Sequence, residues 1–160
     1  MQKVTIICVG KMKERFYIDA AAEYVKRLGR HCKIEIIELP ERRLSDAPAQ
    51  AEIDAALARE AAMISEKLPK GGALIAMCIE GNLLSSDELA GRLSRFALEG
   101  KSQLTFLIGG SVGLHASIKA QADLRLSMSP MTFPHHLARV MLLEQIYRGY
   151  QILEGSRYHK

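Results

Sequence analysis

Short apolar runs alternate with stretches of helical periodicity along this chain, and that alternation constrains its fold more than any other feature. Val4–Val9 (VTIICV) is unbroken and rich in β-branched residues, as strands covered on both faces are. Glu14–Leu28 places Tyr17, Ala21, Tyr24 and Leu28 at helical spacing, with Gly29 positioned to end the helix. Lys33–Leu39 (KIEIIEL) predicts the next strand, closed by Pro40. A polar, basic loop, Glu41–Pro48, follows. The stripe Ile53, Leu57, Ala61, Ile64 and Leu68 then predicts a long amphipathic helix over Ala49–Leu68. Pro69, Lys70, Gly71 and Gly72 end it, and Ala73–Ile79 (ALIAMCI) predicts a third buried strand. Ser85 with Glu88 makes a capping-box pattern for a helix running to about Glu99 and Gly100. Gln103–Ile108 and Leu124–Ser127 predict further strands, with a short helix, His115–Ala122, between them. His136–Leu153 predicts the last helix.

Strands separated by helices in this way predict an α/β fold, a mainly parallel sheet flanked by helices. The 160 residues are read as a single domain, 1–160, long enough to bury a substantial core. No apolar run approaches the ~18–20 residues needed to span a bilayer. The opening MQKVTIICVGKMKERF has too short an apolar stretch for a signal peptide and reads as a first strand. Cys8, Cys32 and Cys78 are widely spaced, each in an apolar run, and no CxxC pair occurs. Reduced, buried thiols in a cytosolic protein are expected, and no metal site. The net charge of +4 permits a polyanionic partner without demanding one.

In open parallel sheets, ligands bind outside the carboxyl ends of the strands. Glu80–Leu84 (EGNLL), Gly109–Leu114 (GGSVGL) and Met128–His136 (MSPMTFPHH) are expected to be irregular segments following the later strands. If those strands lie side by side, the three segments converge on one pocket. The glycine segment fits neither a P-loop nor a dinucleotide fingerprint. Two readings stand: backbone brought close to a ligand, or glycines that only let a strand turn into a helix. Ser127–His136 is unusually apolar for a loop, with Met128, Met131 and Phe133, and Pro130 and Pro134 stiffen it. It suits a flat, uncharged ring such as adenine, or it fills core space as a buried crossover.

The last helix is apolar on two sides. Leu142, Leu143, Ile146, Tyr150 and Leu153 form one strip, and Leu137, Met141 and Ile152 a second, with Arg148 between them. One strip can face the sheet. The other calls for a second cover, and a twofold dimer is expected to supply it. Arg139 falls inside the broad strip and should have a specific partner, by default an ion pair. Arg148 follows Glu144 at the spacing of a helix salt bridge. The closing GSRYHK is either disordered or places Tyr158 and His159 to stack on a base, with Arg157 and Lys160 near phosphates.

The combination LIGGSVGLH, then SMSPMTFPHHLARVMLLEQIYRGYQI, then a terminal YHK resembles the SPOUT methyltransferases, and within them the RlmH type. The resemblance runs from the VTIICVGKMKE opening through CIEGNLLSS to the end. It implies a sheet whose C-terminal part threads a trefoil knot, a topology that pattern reasoning alone would not choose. It implies a homodimer that binds S-adenosylmethionine and methylates N3 of a pseudouridine in 23S rRNA on the assembled ribosome. Carried over residue by residue, it assigns cofactor contacts to Met77, Gly109, Met128, Ser129, Pro130, Met131, Thr132 and Phe133. It assigns substrate binding or catalysis to His135, Arg148, Tyr158 and His159. Met77 stands where the family commonly has leucine. A SPOUT-fold methyltransferase acting on transfer RNA and a non-catalytic RNA- or nucleotide-binding module are the alternatives.

Overall fold

The computed structural model describes residues 1–156. Its strands are β1 (Lys3–Val9), β2 (Lys33–Leu39), β3 (Ala73–Leu83), β4 (Gln103–Ile108) and β5 (Leu124–Ser127). Its helices are α1 (Arg15–Leu28), α2 (Gln50–Lys67), α3 (Ser86–Leu98), α4 (Ala116–Gln121) and α5 (His135–Leu153). The strands form one sheet in the order β2-β1-β4-β3-β5, and every pairing between them is parallel. The expected mainly parallel α/β sheet is therefore present, and β3, β4 and β5, the strands that precede the three loops, are neighbours.

Both faces of the sheet are covered, which is why its strands read as continuous apolar runs. On one face Ile6, Phe106, Leu93, Leu142, Leu143 and Ile146 join the sheet to α1, α3 and α5. On the other, Ile7, Leu107, Ile64 and Ile118 join it to α2 and α4. The capping box at Ser85 and Glu88 is formed, with each side chain bonded to the other residue's backbone N–H.

Three expectations need correction. The segment Glu80–Leu84 is mostly strand. β3 continues to Leu83 through an irregularity between Met77 and Asn82, after which Asn82 pairs with Leu126 and Leu83 with Ser127. Gly81 permits this: a Cβ there would lie 2.8 Å from the backbone of Arg125. Leu153, placed in the buried strip, is exposed, because the helix passes the edge of the core at its end. Cys78 is only partly buried, unlike Cys8 and Cys32, and lines a cleft; all three thiols are free.

Candidate active site

The carboxyl ends of β3, β4 and β5 enclose a cleft of about 760 Å³. Its walls come from the continuation of β3 (Met77 to Glu80), the glycine turn after β4 (Gly109 to Leu114) and the loop between β5 and α5 (Met128 to His135). The glycine turn is folded back on itself. Gly110 and Gly113 pair as an isolated bridge, and Gly113 has φ +81°. A Cβ on Gly109 would lie 2.4 Å from the Gly113 carbonyl oxygen, so only glycine lets the turn close here. The result is a wall of bare backbone facing a mostly apolar interior. The opposite loop is held from within: Ser127 Oγ donates to the Ser129 carbonyl at 3.1 Å, and the Met131 N–H donates to Ser129 Oγ at 3.0 Å. At the margin, Lys119 of α4 reaches Glu80 Oε1 at 2.6 Å and draws the short helix toward β3.

Met77, Gly109, Met128, Ser129, Met131, Thr132 and Phe133 all line this cleft, and so does His135. Pro130 is exposed and outside the lining, at the bend between two residues that are in it. Arg148 is elsewhere. It lies on α5 about 20 Å from His135 along the helix axis, at about 1.5 Å per residue, and its Nε donates to Glu144 Oε1 at 2.9 Å. Tyr158 and His159 lie outside the described residues.

His135 sits where α5 begins, with its Nε2 3.9 Å from Glu41 Oε2. Burial, reinforced by the neighbouring His136 and outweighing the Glu41 charge, depresses its pKa below the ordinary histidine value. The ring is therefore mostly neutral near pH 7 and can accept a proton. Behind it, Arg139 is buried, with its Nη1 donating to Glu38 Oε2 at 2.7 Å and its Nη2 to the Gly10 carbonyl at 3.0 Å. This is the ion pair expected of it. Burial pushes the Glu38 carboxyl up, but the bonds from Arg139 and from the Met12 N–H outweigh that and hold it below the usual range. These bonds fix the start of α5 to the ends of β1 and β2.

Sequence reasoning misses Glu41, which falls in a polar, basic loop. Its carboxylate accepts the Ser111 N–H at 2.9 Å and faces His135, so it braces the glycine turn and the imidazole together. Its position directly after the closing proline of a parallel strand is the available signal, since that is where such sheets gather functional groups.

The lining can hold an adenosyl group. The glycine turn offers unhindered N–H and C=O groups to a base edge, and Met77, Met128, Met131 and Phe133 offer apolar faces. Among the described residues no group of His, Cys, Asp or Glu is arranged to hold a metal ion.

A parallel α/β sheet with a glycine-walled cleft at its carboxyl edge is the arrangement of a nucleotide-type ligand site. The family model described as "Predicted SPOUT methyltransferase" matches residues 2–159, and the chain belongs to that family, as a member of its RlmH type. Relatives named "Ribosomal RNA large subunit methyltransferase H" include one from Clostridium beijerinckii, 45% identical over 98% of this chain and 99% of its own. Another, from Moorella thermoacetica, is 43% identical over the whole of both chains. Among solved structures, a putative methylase family protein from Neisseria gonorrhoeae superposes with TM-score 0.59 at 15% identity, covering 91% of this chain and 82% of that one. A probable methyltransferase from Bordetella pertussis gives 0.59 at 13% identity, covering 93% and 95%. These last two are likenesses of fold.

Proposed function

We propose that this protein transfers a methyl group from S-adenosylmethionine to N3 of a pseudouridine in large-subunit ribosomal RNA, acting on the assembled ribosome as a cytoplasmic homodimer. The observation that carries the reading is the cleft itself: bare glycine backbone on one wall and a methionine-rich loop on the other, in a chain 43–45% identical over nearly its full length to ribosomal RNA large subunit methyltransferase H proteins.

Bound S-adenosylmethionine supplies an electrophilic methyl on sulfur, so no metal is called for. The protein's task is to place the target nitrogen in line and to remove its proton. Met128, Ser129, Met131, Thr132 and Phe133 shape one side of the cleft. His135, neutral and at the cleft wall, accepts the imide proton, with Glu41 orienting the ring. Positioning supplies much of the rate, and hydrogen bonds within the loop and from the turn to Glu41 hold the cleft in shape for it.

Arg148 cannot reach the same cleft as His135 within one subunit, and a second copy resolves this. A groove of about 510 Å³ runs beside α5, lined by Leu84, Val140, Met141 and Gln145, and it shares Leu126 and Met128 with the cleft. A partner's α5 seated there brings Arg148 of one subunit toward the cleft of the other, where its cation stabilises the anion left on the target ring. Tyr158 and His159, which the family resemblance assigns to substrate binding or catalysis, belong to this reading and lie outside the described residues. Residues 1–160 act as one domain, with the C-terminal part threaded as a knot.

The test is methyl transfer from labelled S-adenosylmethionine to unmethylated ribosomes, free 23S rRNA and transfer RNA. Label confined to ribosomes, at N3 of a pseudouridine, is the expected result. Label on transfer RNA alone would replace the substrate assignment, and no label on any RNA would favour a binding module. Sedimentation at micromolar concentration should show a dimer; a monomer would remove the shared site.

A further inference from the structure

The loop after β1 and the loop after β2 lie side by side, because those strands pair in register to their ends, Val9 opposite Leu39. Together they carry Lys11, Lys13, Arg42 and Arg43, all exposed, and among the described residues no side chain of the four forms a salt bridge or hydrogen bond, Lys11 acting on Glu38 only at longer range. Three nearby carboxylates are already engaged: Glu38 holds Arg139 and the Met12 N–H, Glu41 holds the Ser111 N–H, and Glu14 lies 3.4 Å from His136 Nδ1. Asp46, farther along the second loop, is exposed and offsets one of the four positive charges. Met12 is the pivot: it is buried and its N–H is tied down, so its two neighbouring lysines are directed to solvent from a fixed backbone.

This rim adjoins the cleft. A Cβ on Gly10, the residue before Lys11, would lie 3.5 Å from His135 Nε2. Arg42 directly follows Glu41, the brace of the glycine turn. Phe16, in the first turn of α1, is 67% exposed and leans on Tyr17 at 4.4 Å between ring centroids. An exposed ring this close to unpaired cations is the combination that grips unstacked nucleic acid.

We propose that Lys11, Lys13, Arg42 and Arg43, with Phe16, form an RNA-docking rim: the cations neutralise backbone phosphates flanking the target, and Phe16 stacks on an unpaired base beside it. The proposal rests on the RNA methyltransferase reading and adds the surface by which the RNA is held. Acid–base chemistry stays with the cleft, so the rim governs KM and its salt dependence, not turnover.

The experiment compares the wild type with Lys11→Gln/Lys13→Gln/Arg42→Gln/Arg43→Gln. A charge-matched control, Lys26→Gln/Lys33→Gln/Lys67→Gln/Lys70→Gln, alters exposed lysines away from these two loops. Binding to ribosomes and to naked 23S rRNA is measured by co-sedimentation from low to moderate salt, with methyl transfer measured alongside. The rim variant should bind both RNAs at least about tenfold more weakly, with a log–log salt slope shallower by about 3, at roughly 0.7 for each phosphate no longer neutralised. Its kcat and its affinity for S-adenosylmethionine should be unchanged. Phe16→Ala should raise KM by roughly fivefold and leave the slope unaltered, because stacking is uncharged. Equal losses in the rim and control variants would overturn the proposal. So would loss of ribosome binding with naked RNA binding intact, which would make the partner a ribosomal protein. If the wild type methylates no RNA yet the rim variant alone loses RNA binding, the docking rim stands and the methyltransferase assignment fails.

Discussion

Replacing Glu60 with glutamine should stabilise the protein at alkaline pH and leave it unchanged at acid pH. Glu60 is on the buried face of α2, only 4% exposed, and its Oε2 has no hydrogen-bond partner among the described residues. Burial, with the Glu41 charge adding to it, pushes its carboxyl up to about 7. A carboxyl whose folded pKa is raised contributes its stability below the unfolded value, about 4.5, and loses it as pH climbs through about 7. At about 1.4 kcal/mol per pH unit, the span from about 4.5 to about 7 sets a ceiling near 3.5 kcal/mol. Relaxation of the protein around the carboxylate lowers the penalty below that ceiling, and ~1–2 kcal/mol is the expected effect. Urea unfolding at pH 4 and pH 8.5, at one fixed protein concentration, measures it. Glu60→Gln should match the wild type at pH 4 and exceed it by ~1–2 kcal/mol at pH 8.5, because glutamine stays neutral throughout. Taking the difference between the two proteins cancels every other group that titrates. A difference independent of pH would contradict this, because the carboxyl would then have the same pKa folded and unfolded; a variant less stable than the wild type at pH 8.5 would mean that Glu60 is ionised and paired in the folded protein.

Arg139→Ala removes two hydrogen bonds of a buried guanidinium, to the exposed Glu38 carboxylate and the Gly10 carbonyl, and should cost about 2 kcal/mol in urea unfolding. Arg139→Lys should recover only part of this, since one ammonium cannot bridge both acceptors as the guanidinium does. His135→Asn should lower kcat and flatten the acid limb of the pH–rate profile. In the wild type that limb should lie below the ordinary histidine value, because burial depresses the His135 pKa. A limb unchanged in His135→Asn would remove His135 as the base.

The elements at the centre of the sheet are readable because β1 and β4 are buried on both faces. An unbroken run such as VTIICV or QLTFLI then has one good interpretation, and the limits of β4 and β5 agree with the sequence reading. The far end of β3 is not readable. EGNLL has the glycine and asparagine of a turn, but partners on β5 override local preference, and the irregularity after Met77 lets the strand resume. Leu153 fits the apolar strip by angle alone; periodicity does not say where the core ends. At the site, the methionine- and proline-rich loop and the glycine turn announce themselves by composition. Glu41 does not, because its role depends on a hydrogen bond to Ser111, seventy positions away. The separation of Arg148 from His135 is equally hidden, since distance along a helix becomes informative only when the cleft is located.

The most direct test of the central claim is calorimetric titration of S-adenosylmethionine into the wild type and into Gly109→Ala. The account predicts one bound ligand per subunit in the wild type. In Gly109→Ala the added methyl would lie 2.4 Å from the Gly113 carbonyl oxygen, so the turn must open, and affinity should fall at least about tenfold. Unchanged binding in Gly109→Ala, with the fold intact, would mean that the ligand does not rest on the glycine turn and would contradict the assignment of this cleft.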